Sequence, residues 1–287
     1  MKPITTQDYT IYFNNEGYKQ VNEHLKTINY SKVFILCDTN TNIDCVPFFL
    51  ANIDADVAYD ILEIDPGEES KNLDICLGLW EALSEYGADR KSVIINIGGG
   101  VVTDLGGFVA STFKRGIDFI NIPTSLLAMV DASIGGKTGI DLGHLKNQIG
   151  VINTPELIVV DTAFLATLPQ LEMRSGLAEM LKHGLIFDES YWNKIQDLSQ
   201  STIEDLDELI YESIIIKKNI VVPSCFGFLP SSPSSSLPPS LSLFLTHTLS
   251  FSLSLSHTHT HTHTHTHTHT HTHTITQSFI RIPQTQM

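Results

Sequence analysis

Three consecutive glycines are the first feature of the sequence that suggests ligand chemistry. Gly98, Gly99 and Gly100 follow the apolar run at 92–97 and precede a helical pattern. A backbone without Cβ atoms can approach a ligand closely, and the free N–H groups at a helix N-terminus attract anions such as a pyrophosphate. The spacing is not GxGxxG, so a tight turn without a ligand is the alternative. Asp104, which we place in the first helical turn, could cap the helix or contact a ribose or substrate hydroxyl.

A second glycine-rich segment, DASIGGKTGIDLGHLKN at 131–147, carries charged and amide side chains that packing does not require. Neither the helical nor the strand period runs through it, so we expect a loop. Lysines in such a loop suit a phosphorylated or carboxylated substrate, and a solvated loop is the alternative. The residues concerned are Asp131, Lys137, Lys146 and Asn147, with Arg115 just before the preceding strand as a further cation.

Two more groups of polar residues lie where a site could form. Thr124 and Ser125 follow a strand and a proline, where they could cap the next helix or bind a ligand. Glu179 and Lys182 are spaced i, i+3 on a predicted helix and therefore share one face, with His183 next to them. An exposed ion pair is the alternative for Glu179 and Lys182, but small and apolar neighbours predict partial burial, where a paired charge usually has a task.

The elements that must position these residues are those of an α/β fold. Residues 1–222 alternate apolar, β-branched runs with helical patterns, and the runs are continuously apolar. We therefore expect a mainly parallel sheet covered on both faces, and a Rossmann-like, doubly wound domain over residues 1–160. A helix with apolar residues from Leu73 to Leu83 follows the second strand, with Ser70 available as its cap. The predicted strands are 32–37, 57–64, 92–97, 118–122 and 157–160.

Helical patterns replace strands after residue 160, so we expect the start of an all-helical domain over 161–222. Its predicted helices are 170–187 and about 190–222, separated at Asp188. Residues 223–287 are a low-complexity tail of Ser, Leu and Pro and then alternating His and Thr, which cannot specify a core. The tail resembles translated simple-repeat DNA, and a metal-binding histidine tract is the alternative.

Composition excludes several classes of protein. The 287 residues carry a formal net charge of −15, which argues against a nucleic-acid partner. The four cysteines have no CxxC spacing, so we expect ordinary thiols. Because no run of about 18 apolar residues and no signal-peptide order is present, we expect neither a membrane span nor secretion, and a cytoplasmic location.

Taken in order, the motifs PGEESK (66–71), GGGVVTDLGGF, KRG, PTSLLAMVDASIGGKTGID, LKN, FLATLP and SGLAEMLKHGL resemble those of the 3-dehydroquinate synthases, which are sugar phosphate cyclases. The resemblance runs from about residue 30 to 222. It implies NAD, a divalent metal (Zn²⁺ or Co²⁺), a homodimer, and conversion of the seven-carbon phosphate DAHP to 3-dehydroquinate in the shikimate pathway. Another sugar phosphate cyclase, such as a 2-deoxy-scyllo-inosose synthase, and a noncatalytic NAD-binding fragment are the alternatives.

The resemblance also implies roles for individual residues. Glu179 would be a metal ligand. Residues facing the substrate would be Asp131, Arg115, Lys146, Asn147, Lys182 and Lys218. Residues holding NAD would be Asp38, Glu68, Lys71, Gly99, Gly100, Val101, Asp104, Thr124, Ser125, Lys137, Lys146, Phe164 and Thr167.

The resemblance ends at the tail, where the family would supply two further histidine ligands. His183 is at best a poor substitute for them. Because a catalytic zinc site normally uses three protein ligands, we expect an incomplete metal site and an inactive chain. The apolar faces of helices 170–187 and 190–222 would also lack their partners, so we expect aggregation.

Overall fold

A seven-stranded sheet forms the centre of the fold in the computed structural model, which describes residues 1–54, 58–196 and 203–221. Six strands are parallel, and the first pairs antiparallel with the second at one edge. The spatial order is β1-β2-β9-β6-β5-β3-β4, and β7 and β8 form a separate antiparallel hairpin. The strands are β1 (Ile4–Thr5), β2 (Thr10–Phe13), β3 (Val33–Asp38), β4 (Tyr59–Ile64), β5 (Val93–Gly98), β6 (Asp118–Pro123), β7 (Lys137–Leu142), β8 (Leu145–Ile152) and β9 (Leu157–Val160).

Helices cover both faces of the sheet. Successive residues of one strand point to opposite sides, so Ile35 joins one hydrophobic core and Leu36 the other. This arrangement confirms the predicted α/β fold with a mainly parallel sheet. The helices are α1 (Asn14–Ile28), α2 (Thr39–Asp44), α3 (Val46–Ala51), α4 (Leu73–Glu85), α5 (Gly100–Thr112), α6 (Gln170–Phe187), α7 (Glu189–Ile195) and α8 (Ile203–Val221).

All five predicted strands are present, as β3, β4, β5, β6 and β9, although residue 57 of the second lies outside the described residues. The loop predicted over 131–147 is wrong. Asp131 lies in a short helical turn, Ala128–Ala132, and the β7–β8 hairpin follows. Gly139 and Gly150 face each other across the hairpin, where a Cβ on Gly139 would lie 2.6 Å from the Ile149 carbonyl oxygen. Glycines that let the two backbones pair closely stand where apolar side chains would otherwise alternate. The sequence therefore lacks the pattern that normally predicts strands.

Helix α4 differs from its prediction in the residue that caps it and in the side chains that it buries. The Asn72 side chain, not that of Ser70, accepts the N–H of Ile75 at the helix start. Ser70 instead donates to the Asp65 carbonyl oxygen. Leu73 is half exposed, as is Leu77, because the helix turns its Ile75, Cys76, Leu79, Ala82 and Leu83 side chains towards the sheet.

The helical part begins as predicted. Helix α6 spans the predicted residues 170–187, and Asp188 ends it and caps α7 by accepting the Tyr191 N–H. The predicted helix at 190–222 is divided into α7 and α8, with residues 197–202 outside the described part. Residue 222 and the predicted tail, 223–287, also lie outside it, and the domain boundary at 160 stays a prediction.

Two composition-based expectations bear on the described residues. Cys37, Cys45 and Cys76 are buried free thiols, and burial raises the pKa of Cys37 and of Cys76 to about 12. Cys225 lies outside the described part. No helix within the described ranges combines the length and the apolar character that a membrane crossing demands.

Candidate active site

The glycine turn lies where β5 ends and α5 begins. A Cβ on Gly98 would overlap the Val102 side chain, 2.5 Å from its Cβ, and one on Gly99 would crowd the Ser125 Oγ at 3.2 Å. No side chain caps α5, which leaves the N–H groups of Gly100 and Val101 without a side-chain acceptor. These groups carry the positive end of the helix dipole, so the turn can receive an anionic group.

Asp104 does not cap this helix. It lies just beyond the first turn of α5, and that first turn contains no acidic residue. Its Oδ2 accepts a hydrogen bond of 2.6 Å from the ammonium of Lys71, whose residue is only 4% exposed. Burial raises the pKa of Asp104 to about 6, and the positive charge of Lys71 opposes that rise. The carboxylate and the ammonium are therefore a buried, mutually dependent pair.

Lys71 also joins the pair to the hairpin. Its ammonium donates to the Asn147 Oδ1 at 2.6 Å, and its carbonyl oxygen accepts the Asp141 N–H at 2.9 Å. Asn147 has a positive φ of 54°, and its own N–H donates to the Asp141 Oδ1 at 2.7 Å. One turn before Lys71, Glu68 forms an ion pair of 3.1 Å with Lys146. The structure thus brings together Glu68, Lys71, Asp104, Lys146 and Asn147, whereas Lys137 is exposed at the start of β7.

Further predicted cofactor residues lie where parallel strands end. Asp38 ends β3 and caps α2, because its Oδ1 accepts the Thr41 N–H at 2.8 Å. Thr124 and Ser125 follow β6, and the Ser125 Oγ accepts the Ala128 N–H at 3.3 Å. Ser125 therefore performs the capping role that the sequence allowed. Both residues lie at the same edge of the sheet as the glycine turn, since Gly98 pairs with Pro123.

Phe164 and Thr167 lie in the short helix that follows β9, Thr162–Thr167. Phe164 is buried and packs edge-on against Phe48, with ring centroids 5.4 Å apart. The hydroxyl of Thr167 donates to the Phe164 carbonyl oxygen at 3.4 Å. Burial raises the pKa of the nearby Cys45 to about 11, and hydrogen bonds with Thr124 and Thr167 partly offset this rise. Cys45 consequently links the segments after β6 and β9.

A second polar cluster lies beside the turn Ala128–Ala132, which we call the 128–132 turn. The Ser133 N–H donates to the Ala128 carbonyl oxygen, so the helix widens locally to i→i+5 bonding. Asp131 projects from this turn and contacts the ammonium of Lys217 on α8. Helix α6 can pack here because a Cβ on Gly176 would lie 2.5 Å from the Leu126 Cβ. That close approach places the next helical turn, with Glu179, beside Asp131.

Glu179 is the centre of this second cluster. Its side chain is 14% exposed and contacts the ammonium of Lys182, and its Oε1 lies 3.4 Å from the His183 Nε2. Burial alone would raise the pKa of Glu179, but contacts with His183 and with Lys182 outweigh it and lower the pKa to about 2. His183 is buried, and its Nδ1 lies 2.8 Å from the Ser213 Oγ. Glu179 is therefore partly buried as predicted, whereas its partner Lys182 is exposed.

Two of the residues expected to face the substrate, Arg115 and Lys218, do not lie in these clusters. Arg115 is exposed after the C-terminus of α5, about 20 Å from the glycine turn if α5 rises ~1.5 Å per residue. The ammonium of Lys218 donates to the Thr5 carbonyl oxygen at 2.6 Å. Lys217, which the sequence reasoning missed, occupies the place expected of Lys218. The spacing of the helix could have identified Lys217. Residues four apart share one helix face, and Ser213 and Lys217, which are four apart, both reach the cluster.

Comparison with known proteins agrees with the order of the motifs. Residues 61–175 match the sequence family described as 3-dehydroquinate synthase N-terminal. A 3-dehydroquinate synthase of Parabacteroides distasonis is 41% identical over 204 residues, or 70% of this chain and 58% of that protein. The chain is homologous to the 3-dehydroquinate synthases. The resemblance inferred from the motifs is thus confirmed, and the chain spans less than two thirds of that 3-dehydroquinate synthase.

Solved structures of related cyclases share the fold. A 2-epi-5-epi-valiolone synthase from Streptomyces hygroscopicus, with NAD⁺ and Zn²⁺ bound, has a TM-score of 0.68 and 25% identity over 80% of this chain and 65% of that one. A 2-deoxy-scyllo-inosose synthase complexed with carbaglucose-6-phosphate, NAD⁺ and Co²⁺ has a TM-score of 0.65. Its identity is 24% over 77% of this chain and 62% of that chain, so it shows the fold alone. The chain is therefore similar in sequence to the 3-dehydroquinate synthases and similar in fold to these two cyclases.

Proposed function

We propose that the described residues are the NAD-binding part and a portion of the active centre of a 3-dehydroquinate synthase. The observation that carries the proposal is the meeting of the open α5 N-terminus with the Lys71 cluster and the Glu179 cluster. Asp104 connects the two clusters electrostatically, since both Lys71 and Asp131 affect its pKa. The family reaction would convert DAHP to 3-dehydroquinate and phosphate in the shikimate pathway. A cytoplasmic homodimer is part of the same proposal.

The residues present fit NAD. The turn has no room for a Cβ at Gly98 and little at Gly99, and the first N–H groups of α5 would bind the pyrophosphate. Asp38 lies at the end of a parallel strand, where a hydroxyl of the cofactor would reach its second carboxylate oxygen. When bound, NAD would supply reversible hydride acceptance from a substrate hydroxyl.

The charged residues fit an anionic substrate. Lys146 and Lys182 are exposed and would pair with the carboxylate and the phosphate of DAHP. Asn147 would orient a hydroxyl by its side-chain amide, because Lys71 already holds its oxygen. Lys217 would hold Asp131 towards the substrate. Together these contacts would fix the substrate geometry in which the successive proton transfers and phosphate loss occur.

Of the metal ligands that the family resemblance implies, this chain supplies Glu179. Glu179 is a suitable ligand, because contacts with His183 and Lys182 keep its carboxylate ionised. When bound, a divalent metal would polarise the hydroxyl that is oxidised. The tail sequence supplies histidines only as His247 and the Thr-His alternation, without the family's glycine-flanked histidine pair. We therefore expect turnover by this chain to be absent or very slow.

Two other functions can be distinguished from this one by experiment. A 2-deoxy-scyllo-inosose synthase would accept a hexose phosphate, which lacks the carboxylate of DAHP; Lys146 and Lys182 favour the carboxylated substrate. A noncatalytic NAD-binding fragment would bind the dinucleotide and turn over neither compound.

The test combines NAD titration with turnover. Calorimetry should detect NAD binding by the full chain, and Gly99→Val should weaken it more than tenfold, since the new side chain occupies the cradle. Thr112→Val, at the opposite end of α5, is the matched control. Phosphate release from DAHP and from glucose 6-phosphate, with NAD and Zn²⁺ or Co²⁺, then separates the alternatives. A folded chain that does not bind NAD would refute the proposal, and an ordinary rate of DAHP turnover would refute the expected inactivity.

A further inference from the structure

We infer that Asp131, Glu179 and His183 form a binding site for one divalent transition-metal ion, and that Ser213 orients the imidazole. This ligand set differs from Glu179 with two downstream histidines, which the family resemblance implies. The inference extends the proposed function, because the metal would lie in the same cluster. It is nevertheless tested by metal binding alone, without NAD or DAHP.

The geometry brings three donor atoms together. One atom each of Asp131, Glu179 and His183 lies within 4.8 Å of the others. Ligand atoms about 2.0–2.1 Å from a tetrahedral zinc ion are ~3.3–3.5 Å apart. The Glu179 Oε1 and His183 Nε2 are already 3.4 Å apart, which is the spacing of two ligands of one zinc ion, and Asp131 places a third ligand atom within 4.8 Å of both. A solvent molecule or substrate oxygen would complete the coordination.

The buried imidazole is oriented by a second contact. His183 is 1% exposed, and its Nδ1 lies 2.8 Å from the Ser213 Oγ on α8. Without a metal, Nε2–H can donate to the Glu179 carboxylate. When a metal binds, the tautomer whose Nδ1–H donates to Ser213 turns the Nε2 lone pair towards Glu179, and a cation between the two atoms, 3.4 Å apart, is held by both. A histidine and two carboxylates suit Zn²⁺ or Co²⁺, whereas Mg²⁺ prefers oxygen ligands alone.

Two lysines neutralise the same carboxylates when no metal is bound. Lys182 contacts Glu179, and Lys217 contacts Asp131. The Lys182 side chain is 48% exposed, so its ammonium can turn into solvent when a metal binds. Lysine and metal therefore compete for Glu179. Removal of Lys182 should tighten metal binding, which a merely structural ion pair would not explain.

The experiment measures Co²⁺ and Zn²⁺ binding by the full chain. Nine histidines at alternate positions from His257 to His273 give a background that every variant shares. The visible Co²⁺ spectrum of wild type minus that of His183→Gln should contain the bands of one low-coordinate site. His144→Gln, in the exposed hairpin turn, is the matched control and should leave the spectrum unchanged.

Affinities from competition with a chelator supply the numbers. His183→Gln should lose about 100-fold or more at the tightest site, and Ser213→Ala about tenfold, as for contacts that orient a ligand. Lys182→Met should bind Zn²⁺ more tightly than wild type. Equal spectra for wild type and His183→Gln would overturn the inference. If His183→Gln does not fold, an unchanged or weaker affinity in Lys182→Met overturns it equally. Since neither NAD nor DAHP is present, failure here would leave the proposed NAD binding untouched.

Discussion

At the scale of single residues, Lys71 connects three parts of the chain that are distant in sequence. Its ammonium contacts Asp104 on α5 and Asn147 on β8, and its backbone carbonyl accepts from Asp141 on β7. A buried ammonium is stable only when its charge is compensated, so these contacts depend on one another. Lys71 therefore aligns the hairpin with the helix that carries the glycine turn.

The pKa of Asp104 leads to a prediction about stability and pH. Burial raises it from 3.8 to about 6 in the folded chain, so the folded state binds a proton more tightly than the unfolded state. This group's contribution to stability must therefore fall as the pH rises from about 4 to about 6. Asp104→Asn removes that fall. The unfolding free energy of Asp104→Asn minus that of wild type should therefore increase from pH 4 to pH 7, by on the order of 2 kcal/mol.

Urea unfolding at several pH values checks this prediction in the absence of NAD. Asp74→Asn, on the exposed side of α4, is the matched control and should change far less over the same range. A constant difference between Asp104→Asn and wild type from pH 4 to pH 7 would contradict the pKa assigned to Asp104.

The family resemblance implied that Glu68, Lys71, Asp104 and Lys146 hold NAD and that Asn147 faces the substrate. The structure brings these five residues together, and their roles stay a prediction. Prediction from sequence failed where the direction of a side chain decided the outcome. Lys217 and Lys218 are adjacent on α8, and only the packing of that helix determines which one faces Asp131.

At the scale of elements, the 128–132 turn is the junction of the candidate site. Helices α6 and α8 both contact it, and Gly100 at the start of α5 approaches it, since a Cβ there would lie 3.3 Å from the Ala132 Cβ. Widened helical turns are rare, and they are frequently found at functional sites. Here it directs Asp131 towards α6 and α8 while the chain continues into the hairpin.

Gly176 should be indispensable to that junction. Gly176→Ala places a methyl group 2.5 Å from the Leu126 Cβ, so α6 must shift away. We expect a loss of about 1–3 kcal/mol in unfolding free energy, as for overpacked cores. We also expect weaker metal binding, because Glu179 moves with the helix. Chemical unfolding and Co²⁺ titration measure the two effects.

Ser175→Ala is the matched control for this change, because Ser175 is the exposed neighbour of Gly176 on the same helix. It should stay within about 0.5 kcal/mol of wild type. Equal stability of Gly176→Ala and Ser175→Ala would show that α6 does not need this close approach.

Elements with a strong apolar period were predictable, and those built on close backbone contact were not. Strand β9 and helix α6 have the predicted bounds, because an apolar run and a proline mark them. The hairpin β7–β8 was missed, since its outer strand is largely exposed and glycines replace side chains where the strands meet. Strand β2 was missed because its four residues, TIYF, are too few to show a period.

At the scale of the whole molecule, the end of α6 exposes large apolar side chains. Leu185 is 60% exposed and Phe187 51%, and Leu171 at the helix start is 74% exposed. Exposed apolar patches promote association in water.

Replacement of the exposed apolar side chains at the end of α6 should reduce aggregation without loss of stability. We expect Leu185→Lys with Phe187→Gln to reduce light scattering on warming, while the unfolding midpoint stays within a few degrees of wild type. The matched control is Lys19→Gln with Lys26→Gln, on the exposed side of α1, which should leave scattering unchanged or increase it. If the double variant of α6 aggregates as wild type does, association arises elsewhere in the chain.

The position of β2 beside β9 has a consequence for synthesis of the chain. Residues 10–13 leave the ribosome early, but the strand beside which they lie follows about 144 residues later. At roughly 5–20 residues per second, that wait is on the order of 10–30 s. Strands β3, β4, β5 and β6 can pair with one another in the meantime, because their partners are all made by residue 123. A nascent chain interrupted before residue 157 would therefore present β6 as an unpaired, apolar sheet edge to the chaperones around the exit tunnel.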